Sequence, residues 1–210
     1  MDLSDRRRDY GGRSLDERDV APDPLAQFAG WYAAAEKAGI ADANAATLAT
    51  VADGQPTARI VLLKGVDDGA FVFFTNWESR KARELDANPR ATLLFFWREL
   101  ERQVRVEGAA RRVTPEVADA YFATRPRESQ LGAWASPQSA VIPDRDTLIR
   151  AFKDAERRFG ASPIPRPVHW GGYAVTPTQV EFWQGRAGRL HDRLRYRRVG
   201  LVWEVERLAP

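Results

Sequence analysis

Cysteine is absent from all 210 residues, which excludes disulfides, thiolate nucleophiles and zinc–thiolate sites. Histidine is nearly absent. Only His169 and His191 occur, far apart in the chain, so no metal site built from histidines is expected. Lysine is scarce as well: among 32 basic residues only Lys37, Lys64, Lys81 and Lys153 are lysines, and a lysine at a motif position is therefore informative. Long apolar runs are lacking. The stretch 91–97 (Ala-Thr-Leu-Leu-Phe-Phe-Trp) is one of the longest, far below the roughly 20 residues that span a bilayer. The first residues are rich in Arg and Asp with no apolar core behind them, so no secretory signal and no membrane partner are expected, and the chain reads as cytoplasmic. A net charge of +3 permits nucleic-acid binding without requiring it. What is present, 44% hydrophobic and 29% charged residues, suits one well-buried globular domain.

Residues 1–21 are polar and charged, and they are expected to form a mobile arm unless something tethers them. Residues 22–210 are expected to fold as a single domain. Asp23-Pro24 opens a helix with proline at its first position; Leu25, Phe28, Tyr32 and Ala35 trace its buried face and Gly39 stops it. From about residue 46 to 113, short apolar runs alternate with turn signals. Asp53-Gly54 and Asp67-Asp68-Gly69 are hairpin turns between strands expected at 47–51, 58–66 and 70–75. A helix over 79–88 ends against Pro89, and strands follow at 91–97 and 102–113. Helices are expected from Thr114-Pro115 to just before Pro126 and over 143–159. Strands return at 173–183, 190–197 and 202–208. With no regular βαβ alternation and no Gly-x-Gly-x-x-Gly fingerprint, the pattern argues against a Rossmann domain. It favours a mainly β, α+β protein: an antiparallel split barrel with peripheral helices.

Several stretches could carry chemistry. Residues 181–193 set His191 between Arg189 and Arg193, with Trp183 upstream. Together they offer an aromatic wall, an anion clamp and a titratable ring, although the same residues suit a basic surface hairpin. Arg59 and Lys64 begin and end one strand; ideal alternation puts them on opposite faces, so a bulge must re-aim one if both meet a single ligand. Thr75 ends a strand just before a helix begins near Ser79, where free backbone N–H groups, Arg80 and Lys81 could hold a phosphate. Gln103, on the polar face of a strand, has an amide able to read the edge of a flavin or pyrimidine ring. Tyr121 and Arg125, expected at i and i+4 on one helix, could converge with Ser129 on a second phosphate. Two anion sites and ring-recognition groups, with no catalytic triad, metal cluster or Walker loop, point to cofactor chemistry.

These motifs, together with Asn88-Pro89, Glu101-Arg-Gln-Val104, Trp170-Gly-Gly172 and the terminal Arg207-Leu-Ala-Pro210, resemble in order and over nearly the whole chain the pyridoxine/pyridoxamine 5′-phosphate oxidases. The resemblance implies an FMN-binding split barrel that dimerises with FMN at the subunit interface. It implies FMN contacts from Arg59, Ile60, Val61, Leu62, Leu63 and Lys64. Phe74, Thr75, Arg80, Lys81, Gln103, Gln138, Ser139, Trp183 and Arg193 complete that set; Phe74 stands where tyrosine is common, so only a ring or backbone contact is expected there. Substrate contacts are implied from Lys64, Tyr121, Arg125 and Ser129, and from Arg189, Leu190 and His191. Arg7, Arg8, Asp9 and Tyr10 resemble the family's segment that closes over the substrate as a lid.

The implied reaction takes pyridoxine 5′-phosphate or pyridoxamine 5′-phosphate to pyridoxal 5′-phosphate. A hydride passes from C4′ to FMN and O2 becomes hydrogen peroxide, while Arg193 and His191 position the ring and assist proton removal. Two alternatives remain at this point: a related FMN oxidase acting on another ring, such as a phenazine-type substrate, and a non-catalytic barrel that binds flavin or nucleic acid.

Overall fold

The computed structural model of the chain describes residues 1, 3, 5, 9–11 and 13–210. Helix α1 (Pro24–Lys37) starts where Asp23 accepts a hydrogen bond from the Leu25 N–H and proline occupies the first turn. Strands β1 (Ala45–Ala52), β2 (Gln55–Asp67) and β3 (Ala70–Asn76) follow as two hairpins. Their turns hold Asp53 and Gly54 at φ 51° and 75°, and Asp68 and Gly69 at 46° and 72°. Consecutive positive φ values explain the Asp-Gly pairs, because that geometry matches the twist of the flanking strands. Then come α2 (Arg80–Ala87), β4 (Arg90–Trp97), β5 (Arg102–Arg112), α3 (Pro115–Thr124), α4 (Arg127–Ala135), α5 (Arg145–Phe159), β6 (Trp170–Gln184), β7 (Asp192–Val199) and β8 (Val202–Arg207).

The strands form one antiparallel sheet in the order β3-β2-β1-β4-β5-β6-β7-β8, and a β3–β6 pairing closes the first six into a barrel. Closure removes the exposed edges of those six strands. Leu48, Phe71, Phe73, Leu93, Phe95, Val104, Val106 and Phe182 fill the interior. From α1, Phe28 joins them at 4.9 Å from Phe71 and 5.0 Å from Phe95 between ring centroids. Of the expected face Phe28 and Ala35 are buried, Leu25 and Tyr32 pack half-buried against the core, and Trp31, which was not expected, is buried against Phe182. A second apolar cluster, with Phe122, Leu131, Ala155 and Trp170, joins α3, α4 and α5 to the start of β6.

β6 is the element that organises the site. Its first six residues pair with β3, residues 173–184 with β5 and its last six with β7 on the other side. The β5–β6 register shifts between Glu107 and Gly108, where a Cβ on Gly108 would run into the Thr176 backbone carbonyl. Glycine is needed for that close approach.

Two expectations are corrected. Pro126 reads as a stop, yet α4 begins immediately after it, with Pro126 as its cap. The residue before a proline is pushed to extended backbone, and Arg125 has φ −71° and ψ 145°. Arg125 thus leaves the helix and does not share a helical face with Tyr121. Strand β7 begins at Asp192, not at 190, because a 3-10 turn over Ala187–Arg189 places Gly188 and Arg189 at φ 63° and 62°. The tether left open for the N-terminal stretch is present from Leu15 on. Leu15 is buried, its N–H donates to Asp192 Oδ2, and Arg207 donates to Leu15 O and Glu17. Among the described residues no helix is long and apolar enough to cross a membrane.

Candidate functional site

A cleft of about 660 Å³ opens where β2, β3 and α2 meet α3 and α4. On β2 alternation holds. Ile60, Leu62 and Lys64 share the exposed face, while Arg59, Val61 and Leu63 face inward. The β2–β3 register shifts between Leu63 and Gly65, so Lys64 sits at a bulge and lines the cleft with Ile60, Val61 and Leu62. Ile60 and Leu62 are 62% and 42% exposed, an apolar floor that an aromatic ring could cover. Leu63 lies in the core and does not reach the cleft.

At one end of the cleft Lys81 is buried. Its Nζ donates to Thr75 Oγ1 at 3.0 Å, Ser79 Oγ at 3.3 Å and Gln138 Oε1 at 3.4 Å. Burial pushes this amine below its ordinary range, the Arg59 charge adds to the push, and Glu84 opposes it. An ammonium held only by neutral acceptors at a helix start is suited to an anion. Gln138 also accepts from the Thr75 hydroxyl. Its neighbour Ser139 has φ 72°. Arg59 and Arg80 do not line this cleft; both turn to Glu84, at 2.8 Å each.

At the other end Tyr121 stacks on Phe74, with centroids 3.9 Å apart and planes at 17°. Gly172 makes this possible, since a Cβ there would lie 2.9 Å from Phe74 Cδ1. The Arg125 guanidinium lies 4.6 Å above the Trp170 ring. Among the described residues its buried Nη1 has no hydrogen-bond partner, an arrangement expensive enough to need an explanation. Burial pushes the Arg125 pKa down and Tyr121 opposes this, but a guanidinium stays charged. Ser129 lies in the first turn of α4, whose cap makes no side-chain hydrogen bond. Arg125 Nη1 and the free N–H groups of that turn fit a phosphate; Lys81 with the apolar floor fits a phosphorylated ring such as FMN.

The remaining candidates form a second cluster. Gln103 pairs with Trp183 and Trp183 with Arg193, in one row across β5, β6 and β7. Arg193 Nε donates to Glu181 Oε1 at 2.8 Å, and Glu181, 2% exposed, also accepts from Arg105. The Glu181 hydrogen bond holds the Arg193 pKa above its usual value. His191 lies 4.7 Å from Trp183, and Tyr10 stands 5.6 Å from each ring. The Arg186 N–H donates to His191 Nδ1 at 3.1 Å, which places the proton of the neutral imidazole on Nε2. Arg189 and Leu190 are exposed on the turn before β7, Arg189 in the left-handed region. Asp9 is exposed; Arg7 and Arg8 lie outside the described residues.

Within one chain the two clusters are not brought together. Trp170 and Trp183 mark the two ends of β6, and at about 3.3 Å per residue roughly 40 Å of strand separates them. Sequence reasoning missed Glu84, Glu181 and Arg105. The i,i+4 spacing of Arg80 and Glu84 was a usable signal; the partners of Glu181 come from neighbouring strands and leave none.

Fold and site together define a split-barrel protein with one cleft for phosphorylated ligands and a separate aromatic and basic edge. Residues 33–158 match the family model described as pyridoxamine 5′-phosphate oxidase, and residues 170–210 match the pyridoxine 5′-phosphate oxidase C-terminal dimerisation region. A pyridoxine/pyridoxamine 5′-phosphate oxidase of Cupriavidus necator is 57% identical, covering 99% of each chain. One of Rubrobacter xylanophilus is 56% identical over all of this chain and 97% of its own. Among solved structures, PhzG from Burkholderia lata 383, in complex with tetrahydrophenazine-1-carboxylic acid, is 30% identical with a TM-score of 0.89, over 95% of this chain and all of that one. The chain belongs to the pyridoxamine 5′-phosphate oxidase family, and so to the oxidoreductases.

Proposed function

We propose that this chain oxidises pyridoxine 5′-phosphate or pyridoxamine 5′-phosphate to pyridoxal 5′-phosphate, with FMN as cofactor and O2 as final acceptor. One observation carries the choice of substrate: the buried, unpartnered Nη1 of Arg125 beside Tyr121 and the first turn of α4. A phosphate supplies the partner this atom lacks. Bound FMN supplies the hydride acceptor and the reactivity toward O2.

The protein's own part is to bind, orient and exclude water. Lys81, Thr75 and Gln138 would hold the flavin phosphate end, with Ile60 and Leu62 beneath the ring. Tyr121, Arg125, Ser129 and Lys64 would hold the substrate phosphate, gathering binding energy away from the reacting carbon. Trp183, Arg193, Arg189 and His191 would meet the rings from a second copy of the chain, which makes the working form a homodimer with FMN at its interface. The match of residues 170–210 to the family's dimerisation region supports this. His191, with Nδ1 engaged, presents a donor at Nε2 and with Arg193 would position the ring, so that the oxygen or nitrogen on C4′ is placed to lose its proton as the hydride leaves. Tyr10, packed on Trp183 and His191, suits a lid formed by the N-terminal segment. A cytoplasmic location belongs to the same reading.

The test is to purify the full chain, record its visible spectrum, and measure peroxide and pyridoxal 5′-phosphate from each vitamer. Yellow protein and stoichiometric peroxide are expected. The PhzG likeness supplies the second reading, and turnover of a reduced phenazine carboxylate with none of either B6 phosphate would overturn the first.

A further inference from the structure

Glu84 is 5% exposed, in the middle of α2, and the chemistry above gives it no task. Four donors converge on it. Oε2 accepts from Thr50 Oγ1 at 2.6 Å, Thr57 Oγ1 at 2.8 Å and Arg59 Nη2 at 2.8 Å; Oε1 accepts from Arg80 Nε at 2.8 Å. Thr50 and Thr57 face each other across β1 and β2, and Arg59 lies two residues further along β2. A carboxylate that merely tied α2 to this hairpin would need one arginine. The second, Arg80, stands at the first position of α2, where the helix dipole disfavours a cation. Arg80 gives Glu84 only its Nε, and its side chain remains 62% exposed, so the forked end of the guanidinium faces outward. Lys81, which lines the cleft, and Glu84 are both buried at i and i+3 on α2, so the cluster borders the end of the cleft that fits the flavin phosphate.

We propose that Glu84 is a positioning residue for the cofactor: it holds the guanidiniums of Arg59 and Arg80, neither of which lines the cleft in this structure, behind its Lys81 end, where their charge would reach the flavin phosphate. Buried with hydrogen bonds on both oxygens, it offsets part of the repulsion among them before the phosphate arrives. Its partners lie on β1, β2 and α2 itself, which also sets the start of α2 against the barrel. This inference rests on the reading of Arg59 and Arg80 as phosphate contacts.

The experiment compares FMN with riboflavin, which lacks the phosphate. Flavin is stripped from the purified full-length protein, and each is titrated back by quenching of flavin fluorescence. Glu84→Gln should weaken FMN about ten-fold, as expected for a lost charged hydrogen bond, and riboflavin less than about two-fold. Thr57→Val, a milder change, should weaken FMN a few-fold with the same selectivity and serves if Glu84→Gln fails to fold. Equal losses for both flavins, or unchanged FMN affinity, overturn the proposal. Arg80→Gln separates the two levels: if it leaves FMN affinity intact, the phosphate reading itself fails and the proposal with it. If Arg80→Gln weakens FMN while Glu84→Gln does not, the positioning role alone is wrong.

Discussion

Arg125 and Glu84 solve opposite problems with the same chemistry. Arg125 is a half-buried cation whose buried Nη1 lacks an acceptor among the described residues; Glu84 is a buried anion with more donors than charge balance requires. Arg125→Gln should raise KM for pyridoxine 5′-phosphate about 100-fold, equivalent to ~3 kcal/mol, while flavin content stays near one per chain; steady-state kinetics and absorbance at the flavin maximum check both. Glu84 titrates the other way. Burial alone would raise its pKa, but the Thr50, Thr57, Arg59 and Arg80 hydrogen bonds prevail and hold it at about 2, below the usual 4.5. A depressed carboxyl stabilises the fold fully above its unfolded pKa and loses that contribution as pH falls toward the folded value. Acid unfolding of the parent protein should therefore steepen between about pH 4.5 and 2, and Glu84→Gln should flatten that part of the curve by roughly 2 kcal/mol. At this scale the sequence was partly legible. Residue types and order singled out Lys81, Tyr121, Arg125 and Ser129, which the structure brings to one cleft, but the partner of a buried charge on another strand, as for Glu181, leaves no local trace.

Among the elements, hairpins were the most readable because their turns depend on a local rule: Asp-Gly pairs at 53–54 and 68–69 supply the consecutive positive φ values that β1, β2 and β3 need. The least readable was α4. Pro126 carries two messages, stop for α3 and start for α4, and only the packing of Leu131 against Phe122 and Trp170 selects the second. That choice matters for the site, since the kink puts Arg125 and the first turn of α4 on one wall of the cleft. Strand β5 has its own requirement at Gly108, which meets the Thr176 carbonyl of β6. Gly108→Ala should destabilise the protein by roughly 1–3 kcal/mol through loss of the β5–β6 register, seen as a lower Tm. Flavin binding per folded chain should be little changed, because the glycine lies midway between the two clusters.

For the whole molecule, barrel class followed from strand spacing and turn signals, but the division of the site into two distant clusters did not. No property of a sequence says whether two motifs meet within one chain or between two. If they meet between two, dilution should release flavin and dissociate the dimer together. Light scattering and flavin fluorescence followed over the same concentration range should give coincident midpoints, while separate midpoints would place FMN wholly within one chain.

The length of β6 carries this further. Because one strand supplies Trp170 at one end and Trp183 at the other, each chain would take part in two reaction centres, lending its cleft to one and its edge to the other. Damage to the molecule then becomes a matter of combination. A chain carrying Arg125→Gln and a chain carrying Arg193→Gln, each inactive by itself, would on mixing form hybrids in which one centre inherits both lesions and the other inherits neither. With random pairing, half the dimers are hybrids and each has one intact centre, so about a quarter of the parental turnover should return.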